Sequence, residues 1–126
     1  MEKGKLTQNG VHLKEHEYRT VKFFLERGID VELIPTSRIK NLRMPDIMMQ
    51  GVAWEMKSPE GKGKNTIRNT IQNGEHQSSS LIIDLRRIKM DEEVAIKELE
   101  MHFRLSKRIR RLRIITCDLE LLDYFK

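Results

Sequence analysis

The spacing of apolar residues changes along the chain from a helical period to a strand period. Between residues 11 and 27 apolar side chains recur every three or four positions, which predicts a helix, and Gly28 suits the position just after its end. A polar, irregular stretch occupies residues 36–44. Gln50-Gly51 separates two apolar runs and favours a tight hairpin turn. The strands predicted in this half of the chain cover residues 31–34, 47–49 and 52–56.

The second half of the chain repeats the alternation of helix and strand. The loop at residues 58–64 contains Pro and two Gly, and a helix with a narrow apolar stripe follows it. Asp91 occupies the capping position of a longer helix with acidic residues in its first turn. The remaining strands are predicted at residues 81–85, 112–117 and 121–125. The order αβββαβ, then αββ, predicts one α/β domain over residues 1–126 with a mixed sheet.

Composition supports a folded globular domain. The 126 residues are 38% apolar and 34% charged, which is typical of neither a disordered nor a low-complexity chain. Because no apolar run reaches the roughly 18 residues of a membrane span and the N-terminus lacks a signal-peptide core, we expect a soluble protein with no export signal and no membrane partner. Cys117 is the single cysteine, which excludes an internal disulfide and suits the cytoplasm as the site of action.

Positive charge is concentrated in the second half of the chain. Residues 61–126 carry fourteen basic and ten acidic side chains, against ten and nine in residues 1–60. Two clusters stand out, and both suit a phosphate backbone, so we expect nucleic acid as a partner. A solvated helix end that complements the helix dipole is the alternative explanation for the second cluster. The candidate contacts are Lys62, Lys64 and Arg68 in the first cluster and Arg108, Arg110 and Arg111 in the second, which spans residues 104–113.

The hairpin carries the residues suited to chemistry. With Gln50-Gly51 as the turn, Asp46 lies opposite Glu55, and strand alternation places both with Lys57 on one face. Trp54 belongs to the other face, which is wholly apolar and therefore faces the core. Opposed carboxylates repel each other unless a cation lies between them. Carboxylate oxygens suit Mg²⁺ or Mn²⁺, and the Lys57 ammonium could hold an attacking water or balance phosphate charge.

The segment from Pro45 to Arg87 resembles the PD-(D/E)XK nuclease superfamily. It is more closely similar to the C-terminal tRNase toxin domain of contact-dependent growth inhibition (CdiA) proteins. The residues that carry the resemblance are MPDIMMQGVAWEMKSPEGKGKNTIRNTI, Gln77 and LIIDLRR.

The resemblance implies a restriction-endonuclease-like αβββαβ core with a C-terminal helix and two strands added. It implies a metal-dependent nuclease acting on RNA, tRNA above all, with Asp46 and Glu55 as ligands of Mg²⁺ or Mn²⁺ and Lys57 at the nucleophile. Glu17, with Glu15 as the alternative, matches the acid that superfamily members often add from the first helix, and Gln77 matches a glutamine from the second. An inhibitory immunity protein and delivery to another cell as part of a larger toxin are further implications.

Other readings of the sequence remain open. A metal-independent RNase of the barnase or RelE type would need His12 or His16 together with Thr66, Gln77 or Lys57. A nucleic-acid-binding module without catalysis would need exposed aromatics, and the chain has seven in all. The run from His12 to His16 has the H-x-x-E-H spacing of a zinc protease, although a surface helix explains it better. Asp84 is expected to pair with Arg86.

Overall fold

The computed structural model describes residues 2–36 and 44–126, which form seven strands and three α-helices. The helices are α1 (Glu15–Leu25), α2 (Thr66–Glu75) and α3 (Glu92–Leu105). The strands are β1 (Leu6–Thr7), β2 (Val31–Leu33), β3 (Ile47–Met49), β4 (Val52–Lys57), β5 (Ser80–Asp84), β6 (Arg111–Ile115) and β7 (Leu121–Phe125). A single 3₁₀ turn over Leu85–Arg87 follows β5 within these residues.

The strands join into one mixed sheet in the order β1-β2-β3-β4-β5-β6-β7. The pairs β1/β2, β4/β5 and β5/β6 are parallel, and the pairs β2/β3, β3/β4 and β6/β7 are antiparallel. Each parallel pair is bridged by a helix, since parallel neighbours need a crossover connection. The mixed α/β fold predicted from the sequence is confirmed, including the order of every predicted helix and strand.

The structure corrects two details of the prediction. Strand β1 was not expected, and α1 begins at Glu15 rather than at residue 11. The helix starts there because the Glu17 carboxylate accepts a 2.9 Å hydrogen bond from the backbone N–H of Lys14 and so caps the first turn. The predicted irregular stretch at 36–44 lies mostly outside the described residues.

Two apolar cores lie on opposite faces of the sheet. On one face, α1 packs over Trp54, Met56 and Ile82. On the other face, α2 and α3 pack over Leu81 and its neighbours in β5 and β6. Gly74 lets α2 approach closely, because a Cβ there would lie 2.9 Å from a methyl carbon of Leu81. No helix within the described residues is both long and apolar enough to span a bilayer.

Candidate active site

The β3–β4 hairpin has the register predicted from the sequence. Ile47 pairs with Trp54 and Met49 pairs with Val52. The turn residues Gln50 and Gly51 have φ angles of 54° and 76°, which is the backbone of a type I′ turn and the reason that Gly follows the polar residue. Just before β3, the Asp46 N–H donates to the Trp54 carbonyl at 2.9 Å and holds Asp46 against β4. The paired residues end at Ile47 and Trp54, one step short of the predicted Asp46–Glu55 pair.

Alternation along β4 separates the core from the site. Trp54 is 1% exposed, lies in the core beneath α1, and donates from Nε1 to the Met49 carbonyl at 3.2 Å. Glu55 pairs with Leu81, a residue of the opposite core, so its side chain projects from the face that α2 covers. The predicted partition of the hairpin into an apolar face and a carboxylate face is therefore confirmed.

The carboxyl groups of Asp46 and Glu55 lie close enough for each to affect the pKa of the other. Burial, together with the negative charge of Asp46, raises the pKa of Glu55 to about 8. Burial also raises the pKa of Asp46, against the opposing effect of the Met56 N–H, which donates to Asp46 Oδ2 at 2.8 Å. Because the two carboxyl groups interact, they titrate as a pair, and the raised pKa means that the pair keeps a proton near neutral pH.

Lys57 supplies positive charge to this pair. Its Nζ lies 3.3 Å from Glu55 Oε2, and its side chain is 27% exposed while that of Glu55 is 4% exposed. The other carboxyl oxygen, Glu55 Oε1, is buried and has no hydrogen-bond partner among the described residues. One buried oxygen of the site is therefore left without the donor or cation that burial ordinarily demands.

The donor set fits a hard divalent cation. Two adjacent carboxyl groups with raised pKa values and an unpartnered buried oxygen would be stabilised by a cation in place of the shared proton. Among the described residues, no cluster of three or more His, Cys, Asp or Glu side chains is arranged to hold a metal. This pattern suits Mg²⁺ or Mn²⁺, which commonly take one or two carboxylates and keep several waters, better than a closed structural zinc site.

The resemblance also implies Glu17 and Gln77 as site residues, and these two residues lie in different parts of the fold. The Glu17 carboxylate is close enough to Asp46 to raise the pKa of that residue through its charge, although it also caps α1. Gln77 lies after the end of α2, where its backbone N–H donates to the Gly74 carbonyl at 2.9 Å. The side-chain oxygen of Gln77 is buried without a partner among the described residues.

The first basic cluster lies beside the carboxylates. Lys62 and Lys64 are exposed in the loop that directly follows Lys57, and Arg68 is exposed in the first turn of α2. The loop is held at its start by Arg87, whose Nη2 donates to the Ser58 carbonyl at 2.9 Å. A polyanion bound at the carboxylate pair would meet these cations first.

The second basic cluster lies toward the other edge of the sheet. Arg108 and Arg110 are exposed just before β6, and Arg111 is exposed at its first residue. Because β4, β5 and β6 are parallel, these residues lie at the amino-terminal edge, whereas Lys57 ends β4 at the carboxyl-terminal edge. The length of β5, five residues or about 16 Å, separates the two edges.

Arg113 does not belong to this exposed cluster, contrary to the sequence interpretation. Its side chain is 13% exposed, with Nε 3.4 Å from Asp123 Oδ1. The guanidinium carbon lies 4.6 Å from the centroid of the Trp54 ring, in cation–π contact. Arg113 therefore stabilises the core beneath the hairpin rather than offering charge to a ligand.

The sequence analysis missed a cavity near the candidate site. Glu15, His16, Arg19 and Arg87 line one cavity of about 200 Å³. His12 precedes α1 and does not line this cavity, so the H-x-x-E-H run does not place its two histidines one helical turn apart. No local sequence signal could have found the cavity, because Arg87 comes from the turn after β5.

Asp84 forms the expected ion pair with Arg86 and also accepts a hydrogen bond from Thr20. Arg86 Nη2 lies 2.7 Å from Asp84 Oδ2, which also accepts a 2.7 Å hydrogen bond from the Thr20 hydroxyl of α1. Burial opposes ionisation of Asp84, but the hydrogen bonds from Arg86 and Thr20 outweigh it and lower the pKa of Asp84. The network joins α1 to the end of β5.

The sequence from residue 43 to residue 121 matches the family described as contact-dependent growth inhibition CdiA C-terminal domain. Comparison with curated proteins gives no match. Among solved structures, a chain of the "CdiA-CT/CdiI toxin and immunity complex from Burkholderia pseudomallei" superposes with a TM-score of 0.65 at 13% identity. The alignment covers 98% of this chain and 100% of that chain, so the two share a fold.

Proposed function

Because the chain belongs to the contact-dependent growth inhibition CdiA C-terminal domain family, we propose that it is a toxin domain that acts as a metal-dependent nuclease. The proposal includes membership of the PD-(D/E)XK superfamily. It also includes action inside the cytoplasm of another cell, to which the domain would be delivered as part of a larger toxin. Family membership supports the toxin context, and the residues of the hairpin support the proposed chemistry.

One observation carries the catalytic proposal. The carboxyl groups of Asp46 and Glu55 share a buried position with the Lys57 ammonium 3.3 Å from Glu55, and Glu55 Oε1 lacks a partner. A folded protein bears the cost of two adjacent buried carboxyl groups only where another element of the site or its ligand offsets that cost. A divalent cation and a phosphodiester together would supply that compensation.

Asp46 and Glu55 would hold the ion, and Glu17 would add negative charge nearby. When bound, Mg²⁺ or Mn²⁺ supplies Lewis acidity to the phosphoryl oxygens. Lys57, on the same face, would orient the attacking water and balance the negative charge that develops on the phosphate. The water oxygen bonds to phosphorus, the P–O bond to the leaving oxygen breaks, and the water proton passes to solvent while the leaving oxygen takes one up.

RNA is the proposed substrate, with tRNA as the first to be tried. The support is the resemblance of residues 45–87 to tRNase toxin domains and the exposed cations of the loop after Lys57. Lys62, Lys64 and Arg68 would contact backbone phosphates next to the scissile bond. Gln77 is proposed as a catalytic residue on resemblance alone.

Two other readings predict different behaviour. A metal-independent RNase would cleave RNA in excess chelator and would lose that activity when His12 or His16 is replaced. A binding module without catalysis would need a stacking platform, and of the large aromatic side chains in the described residues only Tyr18 and Phe125 are markedly exposed, at 45% and 81%. We therefore favour the metal-dependent enzyme.

An inhibitory immunity protein is the proposed protein partner. The solved relative is described as a complex of a toxin with its immunity protein, which supports an equivalent partner for this chain. The exposed second cluster around Arg108 offers positive charge to an acidic protein surface. Such a partner would protect the cell that makes the toxin.

Cleavage assays on RNA and DNA, with Mg²⁺, with Mn²⁺ and in chelator, test the proposal. Asp46→Asn, Glu55→Gln and Lys57→Ala should each lower the rate by at least about 100-fold, and chelator should do the same to the parent protein. Glu93→Gln, an exposed change on α3, is the matched control and should cleave normally. Undiminished cleavage in chelator would contradict the metal-dependent mechanism.

A further inference from the structure

The cavity between the start of α1 and the turn after β5 is lined by cationic and hydrogen-bonding side chains. Its walls are Glu15, His16 and Arg19 from α1 and Arg87 from the 3₁₀ turn, around about 200 Å³. The Nε–H of Arg87 is buried and has no acceptor among the described residues. A buried guanidinium donor without an acceptor calls for an oxygen-rich anion, since guanidinium forks match phosphate geometry.

Neighbouring contacts place this cavity beside the candidate active site. Arg87 Nη2 donates to the carbonyl of Ser58, the residue that follows Lys57. On the helix side, His16 is adjacent to Glu17, whose charge acts on Asp46. The cavity therefore lies beside the chain neighbours of two residues of the site, Lys57 and Glu17.

Internal contacts leave the cationic groups available. The Arg86 guanidinium is occupied by Asp84 and by the Arg19 carbonyl, which it reaches at 2.9 Å, so Arg86 fixes the Arg19 backbone without competing for a ligand. Glu15 also lines the cavity, but no ion pair within 4.0 Å joins it to either arginine in the described part of the chain. Arg87 has one distant carboxylate, Glu60, at 3.8 Å.

We propose that His16, Arg19 and Arg87 bind a backbone phosphate of the substrate strand, next to the phosphate that is cleaved. The inference rests on the proposed nuclease function and extends it: the enzyme recognises at least two consecutive phosphates and therefore cleaves strands more efficiently than isolated phosphodiesters. Arg87 donates to the phosphate oxygens, the Arg19 guanidinium adds a second charged contact, and His16 donates from its imidazole N–H.

Direct binding is the first arm of the test. Inorganic phosphate, titrated in chelator against protein labelled for NMR, should shift the Arg87 Nε–H and the His16 ring signals, and chloride at equal ionic strength should not. A labelled RNA oligonucleotide, titrated in chelator, should bind Arg19→Gln about 3- to 10-fold more weakly than the parent, with a salt slope lower by about 0.7. Lys97→Gln, an exposed change of the same charge on α3, should bind as the parent does.

Substrates of different length give the second arm. Arg19→Gln should raise KM on an oligonucleotide and should lower kcat/KM more on the oligonucleotide than on bis(p-nitrophenyl) phosphate, which has only one phosphate. Lys97→Gln should leave kcat/KM unchanged on both substrates. The inference is wrong if phosphate leaves the His16 and Arg87 signals unmoved, or if Arg19→Gln and Lys97→Gln bind the oligonucleotide alike. Phosphate and oligonucleotide binding that depends on Arg19 in a protein that cleaves neither RNA nor DNA would uphold the pocket and refute the nuclease instead.

Discussion

The carboxylate of Asp46 accepts a 2.8 Å hydrogen bond from the backbone N–H of Met56, the residue after Glu55. This contact fixes the Asp46 side chain against β4 and brings its charge next to the Glu55 carboxyl group. The hairpin turn at Gln50-Gly51 sets the register, and the register creates the contact. The hairpin register thereby holds two carboxyl groups close together, although their like charges repel each other when both are ionised.

The stability of the metal-free protein should fall as the pH rises through the range in which Glu55 is protonated only in the folded state. The pKa of Glu55 in the folded protein is about 8, raised by burial and by Asp46, whereas the pKa of a Glu side chain in an unfolded chain is about 4.3. Between these values the folded state holds a proton that the unfolded state has lost, so the contribution of Glu55 to the free energy of unfolding declines by up to about 1.4 kcal/mol per pH unit.

Glu55→Gln should remove most of this decline. Urea unfolding of the parent and the variant in chelator, at pH 5.5 and at pH 8, measures the difference between their slopes. Glu93→Gln serves as the exposed control and should follow the parent. Parallel curves for the parent and Glu55→Gln would show that Glu55 is already ionised in the folded protein.

Loss of the Asp84 carboxylate should destabilise the protein by about 2 to 4 kcal/mol, because Arg86 and Thr20 would keep their positions and lose a charged partner. The lowered pKa of Asp84 means that its stabilising contribution is present above its unfolded value and is lost as the pH falls through the folded one. Thermal unfolding of the parent and of Asp84→Asn at pH 7 measures the predicted loss of stability. Asp123→Asn, which breaks the more exposed pair with Arg113, is expected to cost less than about 1 kcal/mol; an equal cost for both variants would contradict the account.

Salt dependence should separate the two basic clusters. Since Lys62 and Lys64 follow Lys57 and Arg108 and Arg110 lie toward the opposite edge of the sheet, the first pair should contribute more to RNA binding. Lys62→Gln with Lys64→Gln should lower the slope of log affinity against log salt by about 1.4, or about 0.7 for each single-strand contact. Arg108→Gln with Arg110→Gln removes the same charge and should change the slope less. Fluorescence anisotropy measures both slopes. A larger change for Arg108→Gln with Arg110→Gln would indicate that RNA binds near the start of β6.

The hairpin and its carboxylate pair could be predicted because every clue was local. Strand alternation and the Gln50-Gly51 turn determine the face of the sheet from which each side chain projects. They therefore predict Trp54 on the apolar core face and Glu55 on the opposite face. Strand β1 escaped prediction because Leu6–Thr7 is too short to show a period, and it exists only through pairing with β2. Arg113 was misassigned because a run of basic residues concealed the strand alternation that turns it toward Trp54.

The cavity lined by His16, Arg19 and Arg87 could not be predicted from the sequence for a different reason. Its residues come from α1 and from the turn after β5, and only the folded sheet brings these elements together. Asp84 and Arg86, two residues apart, could be paired from the sequence, whereas the Thr20 hydroxyl that completes their network could not. Contacts between distant segments therefore account for most of what the structure adds.

Binding of Mn²⁺ to the metal-free protein, followed by the electron paramagnetic resonance signal of the free ion, tests the central claim most directly. The parent and Glu93→Gln should each remove Mn²⁺ from solution, and Asp46→Asn and Glu55→Gln should each bind it at least about 10-fold more weakly. Binding by the parent should also strengthen with rising pH, because the ion replaces the proton shared by Asp46 and Glu55. Equal Mn²⁺ affinity in all four proteins would contradict the assignment of this carboxylate pair as the metal site.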